Sequence, residues 1–354
     1  MTLRLLTRDP RTVDDDDPLM KFMQSNARSI FETPEWFRLL SATAMRSGDV
    51  PVICGVEEDG RVLAVVPLFL TTETRGGRPL RRYGSLTNYF SLGYRPLGDT
   101  DGLATEARRL LGSELRSRGV GLVRFDALRL EDVGAIESLL AAGGLRPHRE
   151  EDFVNWIEPV EGRSFEAYFT GRPSVLRSTY RRRLKKLEKA FNPRMAIYDG
   201  SEPDFDLAKT AYEAVYSSSW KQKEEFTAFT EGFMDLLAAR KALRLGILYA
   251  GQQPLAAQLW FLDEGRAVIY KLAYDEAFAD YSPGLILSVE MFRRAIDVDR
   301  VGVIDYGSGD DSYKADWMSV RDVRWGVEAY DPRRVPGAIL AVRKAVRGWF
   351  APGT

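Results

Sequence analysis

From Ala267 to Trp317 the sequence reads as a strand, a helix and a second strand, and that order narrows what the chain can build. The apolar run Ala267–Tyr274 ends at Asp275. Ser282-Pro283-Gly284 then opens an apolar segment, 285–296, that is long enough for a helix. Ser is favoured at an N-cap and Pro at the first helical position. A second strand, 301–306, ends at Gly307-Ser308-Gly309, and Ser312-Tyr313-Lys314 comes next. The free N–H groups of the helix point at the mouth of the first strand, a geometry that binds anions or a developing oxyanion. A strand end, a helix N-terminus and a second strand end carrying Asp305, Tyr306, Tyr313 and Lys314 therefore converge, and we expect the active site there.

The rest of the composition removes alternatives. Net charge is −1 over 354 residues, so nothing pulls the chain as a whole toward nucleic acid. The one cysteine, Cys54, lies in the apolar run Val52–Val56 and reads as packing. The one histidine, His148, sits in the charged string His148-Arg149-Glu150-Glu151-Asp152 and reads as a surface residue. A zinc site of His and Cys ligands is excluded, and no metal is expected. No apolar run reaches the ~20 residues of a spanning helix, and the N-terminus shows no apolar signal core. The expected location is the cytoplasm.

In chain order, residues 1–30 read as a polar segment in which Asp14–Asp17 form a solvated loop. Thr33-Pro34-Glu35 starts a helix over 35–45. Strands over 50–57 and 61–70 are joined by Glu58-Asp59-Gly60, a hairpin turn. Helices over 103–118 and 131–142 flank a strand over 120–128. The second half repeats this layout, with helices over 165–169, 175–189, 204–223 and 229–241. A meander over 243–250, 254–262 and 266–274 follows them, and a last strand covers 323–330. No residue-level repeat accompanies the shared layout.

Several motifs carry a resemblance. They are Phe31-Glu32-Thr33-Pro34-Glu35-Trp36, Arg181-Arg182-Arg183-Leu184-Lys185-Lys186, Tyr281-Ser282-Pro283-Gly284-Leu285, and Asp305-Tyr306-Gly307-Ser308-Gly309 with Tyr313-Lys314. In that order they resemble the GNAT acyltransferase superfamily, in its FemAB-related branch of CelD-like acetyltransferase domains. The resemblance implies an α/β (α+β) fold of tandem GNAT-like domains, each a mixed, largely antiparallel sheet flanked by helices. Their expected limits are 31–158 and 159–331. It also implies acyl transfer to an amine, with acyl-CoA as donor substrate and no permanently bound cofactor. One departure stands out. The superfamily's pyrophosphate loop carries a Gln or Arg and an earlier glycine, where this chain has Ala279 and Ser282 ahead of Gly284. FemAB relatives use aminoacyl-tRNA as donor, which makes an aminoacyltransferase the second reading. A non-catalytic binding protein of a polysaccharide system is the third.

On the acyltransferase reading the candidate residues take roles. Ser282, Gly284 and Leu285 bind the donor, although a plain helix cap also explains Ser282 and Pro283. Asp305 is the candidate base, being the only acid in its strand, and capping the next loop is its structural alternative. Lys314 holds the donor or orients Asp305, or else pairs with a neighbouring Asp on the surface. Both Asp305 and Lys314 are expected to be needed for turnover and not for folding. Tyr274 and Tyr313 are candidate proton donors. Lys271, in mid-strand between Tyr270 and Leu272, points to water or into a pocket. Asn88 and Tyr89 lie in a stretch too aromatic for a solvated loop and are candidate acceptor-channel residues. Residues 177–189 hold seven Arg or Lys against one Glu, with Leu176, Tyr180, Leu184, Leu187 and Phe191 as an apolar stripe. Within them Arg181 is a candidate phosphate clamp. Finally, residues 333–350 carry five basic and no acidic residues beside apolar positions at helical spacing. The segment 332–354 is expected to be an amphipathic helix in peripheral contact with an anionic membrane.

Overall fold

The computed structural model describes residues 2–75, 77–100, 102–221, 225–331 and 333. The chain folds as two compact units, Met1–Phe153 with the chain from Val323 onward, and Val154–Asp322. It leaves the first unit within one strand and returns within another.

The first unit runs β1 (Leu3–Arg8), α1 (Pro18–Asn26), α2 (Pro34–Thr43), β2 (Val50–Glu58), β3 (Arg61–Arg75), β4 (Arg78–Ser85), β5 (Leu97–Gly98), α3 (Thr105–Leu115), β6 (Leu122–Leu128) and α4 (Leu130–Ala142), and then enters β7 (Arg146–Pro159). Strands β1 to β4 form an antiparallel meander, and β4 pairs in parallel with β6. The β2–β3 turn works because Asp59 and Gly60 both take positive φ, as a two-residue hairpin loop requires. Val52, Cys54 and Val56 of β2 pack with Ala64, Val66 and Leu68 of β3 under Leu111 of α3 and Ile136 of α4. Burial pushes the Cys54 thiol up to about 12, which suits packing and not nucleophilic work. His148 is exposed on β7.

Two expectations change here. Residues 1–30 are not a polar segment, because β1 pairs along β2 from Leu3↔Glu58 to Arg8↔Ile53 and α1 buries Leu19, Met20 and Met23. Of the four aspartates, Asp17 is the cap of α1 and accepts from the Leu19 N–H at 2.9 Å. The unit boundary also falls elsewhere than at 331. Strand β13 (Val320–Tyr330) pairs with β6 from Trp325↔Leu128 to Tyr330↔Leu122, so the last strand belongs to the first unit.

The second unit begins in β7 and continues α5 (Phe165–Thr170), α6 (Ser174–Ala190), β8 (Pro193–Tyr198), α7 (Phe205–Ser217), α8 (Thr227–Ala239), β9 (Leu243–Ala250), β10 (Gln253–Asp263), β11 (Arg266–Tyr274), α9 (Pro283–Arg293) and β12 (Val303–Ser308). Helix α7 stops at Ser217, six residues short of the expected end. The strand pattern repeats that of the first unit: β8 to β11 form an antiparallel meander, and β11 pairs in parallel with β12. Helix α9 buries Ile286, Leu287, Val289, Met291 and Phe292 against one sheet face, with α6 laid over it through Leu187, Leu184 and Tyr180. On another side Phe233 of α8 meets Phe261 and Tyr270 at 5.5 and 5.0 Å. The helix-spaced stripe expected in α6 is therefore the stripe that packs.

Candidate active site

The parallel pairing of β11 with β12 covers only Arg266↔Val303, Ala267↔Ile304 and Val268↔Asp305. Beyond Val268 and Asp305 the strands part, while β11 runs on to Tyr274 and β12 to Ser308. A β-bulge marks the parting. Leu259 of β10 faces Lys271 and the next residue, Trp260, faces Ile269, so Tyr270 is the extra residue on β11. Bulges re-aim side chains and cluster near active sites. In the first unit the corresponding gap after β4 is closed by its own chain. Tyr94 pairs in parallel with Leu128, its N–H donates to Ala127 O, and Ser85 Oγ accepts from the Asp126 N–H.

The first turn of α9 lies beside the open strand end. A Cβ added at Gly284 would stand 3.3 Å from Tyr274 Cδ1, so glycine lets the helix start come close to β11. Ser282 occupies the N-cap and Pro283 the first position, as expected, but Ser282 has φ +52° and its side chain makes no capping bond. Ile286 N–H donates to Ser282 O. The Gly284 and Leu285 N–H groups precede the first intrahelical bond and stay available. Gln258 of β10 fixes the depth of the helix, donating to Gly284 O at 3.0 Å and to Ser288 Oγ at 2.8 Å, and accepting from Trp260 Nε1 at 2.9 Å. Leu285 is half-buried on the apolar core.

Asp305 and Lys314 are both buried, 4% and 3% exposed, and both tie down the loop after β12. The Asp305 carboxylate accepts from Asn155 Nδ2 at 3.1 and 3.2 Å and from the Gly307 N–H at 2.9 Å. Lys314 Nζ donates to Ser308 O at 2.7 Å and Gly309 O at 3.1 Å and reaches Gly307 O at 3.5 Å. Gly307 and Gly309 take φ of +65° and +110°, which turns these carbonyls inward at no steric cost. Burial pulls the Lys314 ammonium below the usual lysine range, and Asp311 works against it. Its ammonium also lies 5.3 Å from the Tyr306 ring, whose phenol burial holds far above its ordinary value. Tyr313, partly exposed, packs edge-on against Tyr306 at 5.7 Å.

Lys271 is half-buried on β11, its Nζ 5.5 Å from the Tyr216 ring. Tyr274 stacks on Trp220 at 4.5 Å. Arg181 is exposed on α6. Its neighbours Arg183 and Lys186 reach Asp280 O, two residues before the α9 cap, and Lys186 lies 4.8 Å from the Tyr281 ring. Asn88 and Tyr89 stand in the first unit, in the segment that fills its strand gap. Asn88 Nδ2 donates to Ala44 O at 2.8 Å, and Tyr89 lies against Phe90 at 4.1 Å. The basic stretch 334–350 lies outside the described residues.

Sequence reasoning did not single out Gln258, Asn155, Tyr216 or Lys221. Gln258 carries the signal that marked Lys271, a polar residue inside an apolar strand. The other three acquire meaning only from long-range contacts. Among the described residues no cluster of His, Cys, Asp and Glu could hold a metal.

A family model of the acetyltransferase (GNAT) domain matches residues 174–315, the span that holds β11, α9, β12 and Lys314. Residues 174–315 thus carry an acetyltransferase domain of the GNAT type. The chain shares its fold with the crystal structure of FemX at 13% identity and a TM-score of 0.60, over 93% of this chain and 97% of that chain. The C-terminal domain of a putative lysylphosphatidylglycerol synthetase from Agrobacterium fabrum matches at 12% identity and 0.54, over 93% and 95%. L-PGS from Bacillus licheniformis matches at 14% and 0.52, over 94% and 96%. These likenesses are of fold. Among curated proteins none matches the sequence.

Proposed function

We propose that this acyltransferase moves an acyl group from a CoA thioester onto a primary amine of a lipid or envelope precursor, a sphingoid base giving a ceramide-type amide being one such acceptor. The observation that carries the reading is the parting of β11 and β12 beside the first turn of α9. A thioester in that opening has the Gly284 and Leu285 N–H groups for its phosphates or its carbonyl oxygen. The cations of α6 stand beside the same helix start and stand in for the basic residue missing ahead of Gly284. Asp305 and Lys314 act as positioning residues that hold the Gly307–Asp311 loop, and Tyr313 and Tyr306 border it. A lipid acceptor is supported by the fold likeness to a protein named lysylphosphatidylglycerol synthetase. The amphipathic pattern of 333–350 supports peripheral contact with an anionic cytoplasmic membrane face.

The fold likeness to FemX supports a second reading, an aminoacyltransferase on a peptidoglycan precursor. The two readings part on the donor. Thiol release is measured with acyl-CoA of several chain lengths against a long-chain primary amine, in parallel with amide formation from aminoacyl-tRNA. Turnover with acyl-CoA alone upholds the first reading; turnover with aminoacyl-tRNA alone replaces it with the second.

A further inference from the structure

A wall of aromatic rings connects the start of α9 to a pair of lysines. Gly284 faces Tyr274, and Tyr274 stacks on Trp220. The next residue, Lys221, places its Nζ 5.9 Å from the Trp220 ring and 5.7 Å from the Tyr216 ring. Lys271 reaches the same Tyr216 ring at 5.5 Å. One aromatic ring thus has two ammonium groups within 6 Å of its centre, and the charge of each disfavours that of the other. The bulge at Tyr270 sets where Lys271 stands: it is the first residue after the bulge and three beyond Val268, where β11 and β12 separate.

We propose that Lys271 is the catalytic base of the acyl transfer, with Lys221 as the positioning residue that keeps it neutral. The inference rests on the acyltransferase reading above and names the residue that handles the proton. The acceptor nitrogen attacks the thioester carbonyl and a C–N bond forms. The proton of the resulting ammonium passes to Lys271 Nζ, and the C–S bond breaks. Lys271 then returns that proton to the departing thiolate. Amine and thioester become amide and thiol, and the lysine ends as it began.

The ionisation of Lys271 agrees with this geometry. Burial, and then the charge of Lys221, pull its ammonium down to about 7. Burial lowers Lys221 as well. Among the described residues, the titratable groups around the pair include the phenols of Tyr216 and Tyr212 on α7, and Tyr270 beside them on β11. Both α7 phenols are raised by burial and so neutral, and Leu259 faces Lys271 across the β10 ladder. A base with a pKa near the working pH is the efficient choice.

Three measurements test the assignment. First, trace acylation of the substrate-free protein across pH, read by peptide mass spectrometry, should titrate Lys271 near neutrality, and in Lys221→Met it should titrate at higher pH. Second, kcat/KM of the wild type with an alkyl amine should rise with pH through about 7. Third, Lys271→Met should lose about 10²- to 10⁴-fold together with that acid limb. The same variant should keep most of its rate with a weakly basic aromatic amine, which sheds its proton unaided. An ordinary lysine titration overturns the proposal. So does an acid limb that survives in Lys271→Met, or equal loss with both amines. If the wild type transfers no acyl group from any CoA thioester while Lys271 titrates near neutrality, the functional reading fails and the lysine's ionisation stands apart from it.

Discussion

Asp305 shows what burial does to a candidate base. Its carboxylate already receives the Gly307 N–H and the Asn155 amide, both within one hydrogen bond of the loop it caps. Replacing it with Ala removes the acceptor of both donors and leaves them unmatched, a cost of about 1–3 kcal/mol. Lys314→Met strands the carbonyls of Ser308 and Gly309 in the same way. We expect both variants to melt several degrees below the wild type, at about 2–4 °C per kcal/mol, and to lose turnover as the loop loosens. Thermal unfolding combined with rates on the folded fraction decides it. An unchanged Tm with a 10²- to 10⁴-fold lower kcat would return Asp305 to the role of base. Lys271 is the opposite case, because burial and the charge of Lys221 disfavour its ammonium.

At the scale of elements, close approach decides which substitutions a helix tolerates. In the first unit α3 and α4 touch backbone to backbone: a Cβ on Gly112 would lie 2.6 Å from Gly143 N, and one on Gly143 2.4 Å from Gly112 O. Gly134, also on α4, has nothing within 4 Å of that position. Gly112→Ala should therefore destabilise by about 1–3 kcal/mol, while Gly134→Ala should stabilise by up to about 1 kcal/mol. Denaturant titration of the pair checks the contrast, and equal effects would mean that the helices can move apart. Most elements were legible from period and punctuation alone, among them the β9–β10–β11 meander and the start of α9 at Ser282-Pro283. The stripe of α6 was legible for the same reason. The sequence hid what depends on distant pairing. Strand β1 lacks a strong pattern and exists because β2 offers an edge. The place of β13 is set by its register with β6. Gln258 and Lys221 gain their roles only when α9 and α7 come to the sheet. The candidate residues clustered around 271–314 were found because a strand end followed by a helix start marks itself locally. Asn88 and Tyr89 were singled out by aromatic content, which in the first unit accompanies a segment that fills its own strand gap.

At the scale of the molecule, two units share one strand plan and differ at the strand gap. The gap is open beside α9 in the second unit and closed by the 86–94 segment in the first. The GNAT match, residues 174–315, lies within the second unit, where the chemistry is proposed. Among the described residues no helix is long and apolar enough to cross a membrane. The proposed membrane contact rests on the sequence of 333–350, with its five basic and no acidic residues. Each basic residue near an anionic surface contributes about 1 kcal/mol, enough for weak, salt-sensitive binding. Truncation after Asp331 should abolish flotation with anionic liposomes at low salt. Flotation that persists would assign the stretch to packing.

The central claim is that the opening between β11 and β12, with the start of α9, seats a CoA thioester. Titration calorimetry of CoA and acyl-CoA against the wild type and Gly284→Val tests it most directly. The account predicts binding to the wild type and loss of most of that binding in the variant, because the new side chain crowds Tyr274 and covers the free N–H groups, with little change in Tm. A wild type that binds no CoA thioester, or a variant that binds as well as the wild type, would contradict it.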